Sequence, residues 1–69
     1  MSDIEGIARD CCVDYICGMS VALAEGLPEK FDLFYDFYTS AFQRVTDKHT
    51  RTQMGKLVGK LYERRKENE

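Results

Sequence analysis

The chain has 69 residues, of which 43% are hydrophobic and 32% charged, and it carries a net charge of −2 at pH 7 with a pI near 5.3. A chain of this length forms one domain that hides only about 60% of the surface its unfolded form exposes. That excludes a large self-sufficient core and favours completion by a staple or a second subunit. The most apolar run, residues 11–24, is interrupted by Asp14 and is too short for the roughly 20 residues of a membrane span.

The charge is divided along the chain. Residues 1–47 hold nine acids against three bases, a net of −6, while residues 48–69 hold seven bases against three acids, a net of +4. This polarity bears on partners rather than on fold. Cys11, Cys12 and Cys17 cannot all pair within one chain, and neighbours on a helix diverge by about 100°. A reducing, cytoplasmic setting is the expectation. The opening Met-Ser-Asp lacks the basic start of a secretory signal.

A first helix is expected over about 3–25. Ser2 or Asp3 can cap it, with Glu5 at the reciprocal capping-box position after Ser2. Ile4, Ile7, Ala8, Cys11, Cys12, Tyr15, Met19, Ala22 and Leu23 form a stripe at helical spacing. Val13, Cys17 and Ala24 lie on the opposite side, so this helix is apolar nearly all round and needs cover on more than one face. Gly26 stands at the C′ position, and Pro28 suits the first turn of a second helix.

The second helix is expected over about 28–46. Phe31, Phe34, Tyr35, Tyr38, Ala41, Phe42 and Val45 span a sector of roughly 120° that would pack on helix one. Asp32, Asp36, Thr39 and Gln43 lie on the far side. Leu33 and Phe37 form a separate ridge four residues apart, open to one outside helix.

After a polar break at residues 46–49, Asp47 or Thr50 can cap a third helix over about 50–66, unless helices two and three are one bent rod. Met54, Leu57, Val58, Leu61 and Tyr62 mark its apolar face. Gly55 and Gly59 carry a GxxxG spacing that reads either as close approach to another helix or as simple tolerance. The fold class is therefore all-α, a short bundle of two to three helices completed by dimerisation.

Chemistry-bearing motifs are sparse. Cys11, Cys12, Cys17 and His49 could supply four zinc ligands by type, but no CxxC spacing exists, and thiols acting as small buried hydrophobes account for them better. No phosphate-cradling glycine loop, nucleophile elbow or HExxH occurs, so neither catalysis nor a cofactor is expected. What remains is surface. Val13, Cys17, Leu33 and Phe37 are the candidate partner or dimer interface, because one seam of three helices does not bury both sides of helices one and two.

Asp32 and Asp36 offer an acidic patch, and Lys56, Lys60 and Arg64 a basic one on the third helix. These features describe a small intracellular regulator or adaptor that binds a protein partner and forms a homodimer. The competing reading is a nucleic-acid-binding transcriptional regulator whose third helix presents Thr50, Arg51 and Gln53 to bases and Lys56, Lys60 and Arg64 to phosphates. The overall acidity of the chain weighs against it.

Overall fold

In a computed structural model that describes residues 4–67, the chain is three α-helices: α1 (Ile4–Glu25), α2 (Pro28–Phe42) and α3 (Lys48–Glu67). No strand occurs among the described residues, and the fold is all-α.

α1 ends where its backbone reverses sign. Gly26 takes φ 71°, its N–H donates to the Leu23 carbonyl at 3.1 Å, and the Leu27 N–H donates to the Ala22 carbonyl at 2.9 Å. Both terminal bonds of a Schellman motif are present, and only glycine takes this left-handed position without strain. Pro28 then opens α2, where its missing N–H costs nothing. The result is a tight antiparallel hairpin. The two helices pack tightly at Gly18, where an added Cβ would lie 2.9 Å from the ring of Phe34.

α2 stops at Phe42, four residues before the expected end at 46, so α2 and α3 are separate helices. The Arg44 and Val45 amides turn back to the Ala41 and Phe42 carbonyls at 3.0 Å, tightening the chain out of α-helical pitch. Val45 closes the turn as a fully buried plug. The guanidinium of Arg51 reaches across to the Phe42 carbonyl at 3.1 Å and the Val45 carbonyl at 2.6 Å, while lying 4.2 Å over the Phe42 ring. A cation there adds a second donor to the Phe42 carbonyl beside the Val45 amide, reaches the Val45 carbonyl beyond the helix, and opposes the negative end of the helix dipole.

α3 begins at Lys48, two residues earlier than expected, because Asp47 is its cap. The Asp47 carboxylate accepts from the Thr50 amide at 2.8 Å and the Thr50 hydroxyl at 2.6 Å. His49, placed by the sequence in a polar break, sits instead in the first turn of α3.

Glu5 has a different role from the capping box expected of it. Its Oε1 accepts from the Thr46 amide and hydroxyl, both at 2.9 Å, and from the Asp47 amide at 2.8 Å. One carboxylate oxygen thus ties the start of α1 to the α2–α3 turn. These donors hold its pKa below the ordinary carboxylate value, the Thr46 hydroxyl most strongly, then the amides of Asp47 and Thr46. Ser2 and Asp3, the other expected capping residues, lie outside the described residues.

The core runs along one side of the hairpin. Cys12, Met19, Ala22, Phe31 and Val45 are fully buried, with Ala8, Tyr38, Met54, Val58 and Leu61 nearly so. The backbones of α1 and α2 pack intimately, whereas α3 stands further off and is reached by long side chains. Tyr62 of α3 lies 5.4 Å from Tyr35 and 6.2 Å from Phe31 between ring centroids. At the far end, Arg65 grips Asp32 through Nε–Oδ1 at 3.0 Å and Nη2–Oδ2 at 2.9 Å. This is a planar two-point fit between guanidinium and carboxylate.

The molecule measures 43 × 18 × 14 Å, with a radius of gyration of 12.2 Å against about 11 Å for a compact chain of this length. Its accessible surface is 5001 Å², where a compact monomer of the same mass exposes about 4,450 Å².

Candidate functional site

A groove runs between α1 and α2 and encloses about 740 Å³. α1 contributes Ile4, Ile7, Ala8, Cys11 and Tyr15, and α2 contributes Phe37, Ser40, Ala41 and Arg44, with no residue of α3. Helical geometry explains why α3 leaves it open. Tyr35 faces Tyr62 of α3, and Phe37, two residues on, lies about 160° round the helix from it. The groove is therefore on the side of the hairpin that α3 does not roof.

The sequence places Ile4 and Ile7 in the core stripe, yet they are 59% and 62% exposed. Spacing alone puts them there. Helical period shows which residues share a face, but not where a covering helix stops. Leu57, also assigned to an inner face, is exposed for the same reason, since α3 buries only a narrow stripe of Met54, Val58 and Leu61, whereas Tyr62 packs its ring on Phe31 and Tyr35 while remaining partly open to solvent.

The four residues of the candidate interface do not converge. Phe37, 45% exposed, lines the groove and packs against Tyr15 at 5.5 Å and Phe34 at 6.5 Å between centroids. Leu33, also exposed, lies one turn before Phe37 and extends the same side of α2. Val13 and Cys17 are each two residues from Tyr15, about 160° away round α1, and so point away from the groove. Together with exposed Val21 they make a second ridge on the outer side of α1.

The charged candidates divide as well. Asp32 is engaged by Arg65, a residue the sequence left out in favour of its neighbour Arg64. Asp36 is exposed and borders a shallow polar groove with Asp32, Tyr35, Tyr62, Arg65 and Lys66. Lys56, Lys60 and Arg64 are exposed on α3. Of the residues that a base-reading helix would use, Thr50 is bonded to Asp47 and Arg51 is held against the end of α2. Both are committed to holding the α2–α3 junction. Gly55 and Gly59 face open space, with no atom within 4 Å of an added Cβ, so the chain itself makes no close helix crossing there.

The cysteines occupy three different environments. Cys12 is buried, Cys11 half-buried and Cys17 exposed, and all three are free thiols. The expectation of buried thiols is thus corrected at Cys17, which lies on the unroofed outer side of α1. Burial, and secondarily Cys11, raises the Cys12 thiol above its ordinary pKa and leaves it protonated and unreactive. Tyr38 is likewise pushed up to about 12, chiefly by burial and then by Cys12 and Tyr35. Among the described residues, no three His, Cys, Asp or Glu side chains are grouped to hold a metal ion, and no helix is long and apolar enough to cross a membrane.

Comparison with protein-family models, with curated proteins and with solved structures returns no match.

Proposed function

We propose that this chain is a small protein-binding module, a regulator or adaptor that acts through its helical surfaces and self-associates as a homodimer. The observation that carries this reading is the unroofed α1–α2 groove, in which Ile4, Ile7 and Phe37 stand exposed beside one another. Contiguous apolar surface of this kind marks an interaction site, and a groove between two helices suits an amphipathic helix laid into it. The broad side of the molecule, 43 by 18 Å, has a footprint close to the roughly 800 Å² that each partner contributes to a standard interface. Val13, Cys17 and Val21 supply the separate ridge for self-association.

Sedimentation velocity over a wide concentration range tests the homodimer. A dimer weakened by Val13→Lys and indifferent to Phe37→Asp is expected, and a monomer at every concentration overturns it. Purification from the source cell tests the module. A stoichiometric protein partner should be lost with Phe37→Asp and kept with Lys56→Glu/Lys60→Glu.

A nucleic-acid-binding regulator is the second reading, favoured by Lys56, Lys60 and Arg64, which are exposed and make no ion pair among the described residues. It requires binding to duplex that weakens steeply with salt and disappears in Lys56→Glu/Lys60→Glu. No binding at low salt removes it.

A further inference from the structure

The two ends of α3 are fastened unequally. At its start, Glu5 accepts from the Thr46 and Asp47 amides, Asp47 caps the first turn through Thr50, and Arg51 reaches the Phe42 and Val45 carbonyls around the buried Val45. At its far end, about 21 Å along the helix from Arg51, Arg65 holds Asp32, whose side chain is 55% exposed, and Tyr62 lays its ring against Phe31 and Tyr35. The contacts at the start tie backbone groups of the α2–α3 turn in place. Those at the far end join side chain to side chain.

Gly55 and Gly59 lie between the two fastenings. An added Cβ at either position meets no atom within 4 Å, so neither glycine serves a close approach within this chain. Inside a helix, a glycine with no such contact to offset it leaves the helix less stable than alanine would. α3 also buries only Met54, Val58 and Leu61, and its backbone stands off from the hairpin. A helix with a weak middle, little buried surface and an exposed far clasp opens before the molecule unfolds as a whole.

We infer that α3 is a hinged strap, which turns about the α2–α3 junction, lifts from its C-terminal end as Arg65 releases Asp32, and so uncovers the aromatic end of the hairpin at Phe31 and Tyr35. With the strap down, Phe31 is fully buried and meets the Tyr62 ring, so the lifted form offers an apolar surface that the closed form hides. Closure is a contact of the chain with itself, governed by a clasp that water and salt can reach. Screening of Arg65 and Asp32 by salt therefore favours the lifted form. The strap works in this way whether or not the α1–α2 groove has an occupant.

Native-state hydrogen exchange on the full chain, in low concentrations of denaturant at a fixed neutral pH, tests the strap. The amides of residues 59–64 should share one opening free energy, lower than that of α1 and α2, and it should fall with denaturant because surface is uncovered. Arg65→Gln should speed their exchange about fivefold while leaving α1 unchanged, and the reversed pair Asp32→Arg/Arg65→Asp should recover part of the lost protection. Gly55→Ala/Gly59→Ala should slow the same amides by about tenfold or more.

Exchange of α3 at the same free energy as α1 and α2 would make the three helices one cooperative unit and overturn the inference. Protection that falls turn by turn toward Glu67, with no dependence on denaturant, would be fraying of a helix end and would overturn it as well. A common opening of residues 59–64 that Arg65→Gln leaves unchanged would remove Arg65 as the latch, and the proposal with it.

Discussion

On the side of the α1–α2 hairpin that α3 covers, Met19, Phe31 and Val45 are sealed from solvent, and Tyr35 and Tyr62 close ring against ring. On the other side, Ile4, Ile7 and Phe37 line an open groove. Both sides are built from large apolar residues at helical spacing, so composition does not separate them. What separates them is the reach of one helix. α3 is pinned at one end by Glu5, Asp47 and Arg51 around the α2–α3 turn and at the other by Arg65 on Asp32, and that path runs along a single side. A third helix is enough to complete one core and leaves the opposite face open.

The sharpest way to break this comparison is to truncate an aromatic on the sealed side. Phe31→Ala should cost about 3–5 kcal/mol, a large fraction of the total stability of a small domain, and thermal unfolding followed by circular dichroism should show much or all of the helical signal lost. Gly18→Ala should come next, at about 1–3 kcal/mol, because the new methyl group must displace the Phe34 ring. Gly55→Ala meets open space and should instead stabilise by about 0.5–1 kcal/mol, so chemical denaturation of the two glycine variants should shift in opposite directions.

Glu5→Gln keeps the side-chain length and one acceptor oxygen but removes the charge that ties α1 to the α2–α3 turn. Because folding lowers the pKa of Glu5, its ionised form adds stability above the unfolded value of about 4.3, and that contribution fades as pH falls through the lower folded value. Denaturation midpoints of wild type and variant should therefore differ at neutral pH and converge in acid. A gap unchanged with pH would show that the carboxylate charge is not what holds the turn. The smallest effect belongs to the open side. Ile7→Ser should move the denaturation midpoint by the equivalent of about 0.5 kcal/mol or less, and a loss approaching that of Phe31→Ala would mean the groove is part of the core.

Much of the local structure is legible in the order of residues. Gly26 followed by Pro28 marks the first break because a left-handed glycine ends one helix and a proline with no N–H to lose begins the next. The aromatic sector of α2 and the Met54, Val58, Leu61 stripe of α3 follow from spacing, and both supply core residues. Other features depend on residues brought together from a distance. Nothing near Glu5 indicates that it will bond Thr46 and Asp47, and nothing near Arg51 indicates that it will donate to the last carbonyl of α2, that of Phe42, and to that of Val45 in the turn beyond. The choice of Arg65 rather than Arg64 for Asp32 depends on how α3 is rotated when it docks, a difference of about 100° between neighbours that charge counting does not register.

The candidate site divides along the same line. That Leu33 and Phe37 leave the main stripe of α2, and Val13 and Cys17 that of α1, follows from the 100° step between residues. That Phe37 lines a groove with Ile4 and Ile7 while Val13 and Cys17 lie round the back of α1 depends on which flanks α1 and α2 press together. By itself the amino-acid order determined an all-helical chain with its first break at Gly26 and Pro28, approximate helix limits and an acidic-to-basic change of charge, because these are local matters of periodicity, capping and composition; that α2 and α3 are separate helices rather than one bent rod is settled only in the folded chain. The tertiary packing alone decided which apolar residues are hidden and which remain on show, because burial depends on the neighbour a face meets and not only on the face.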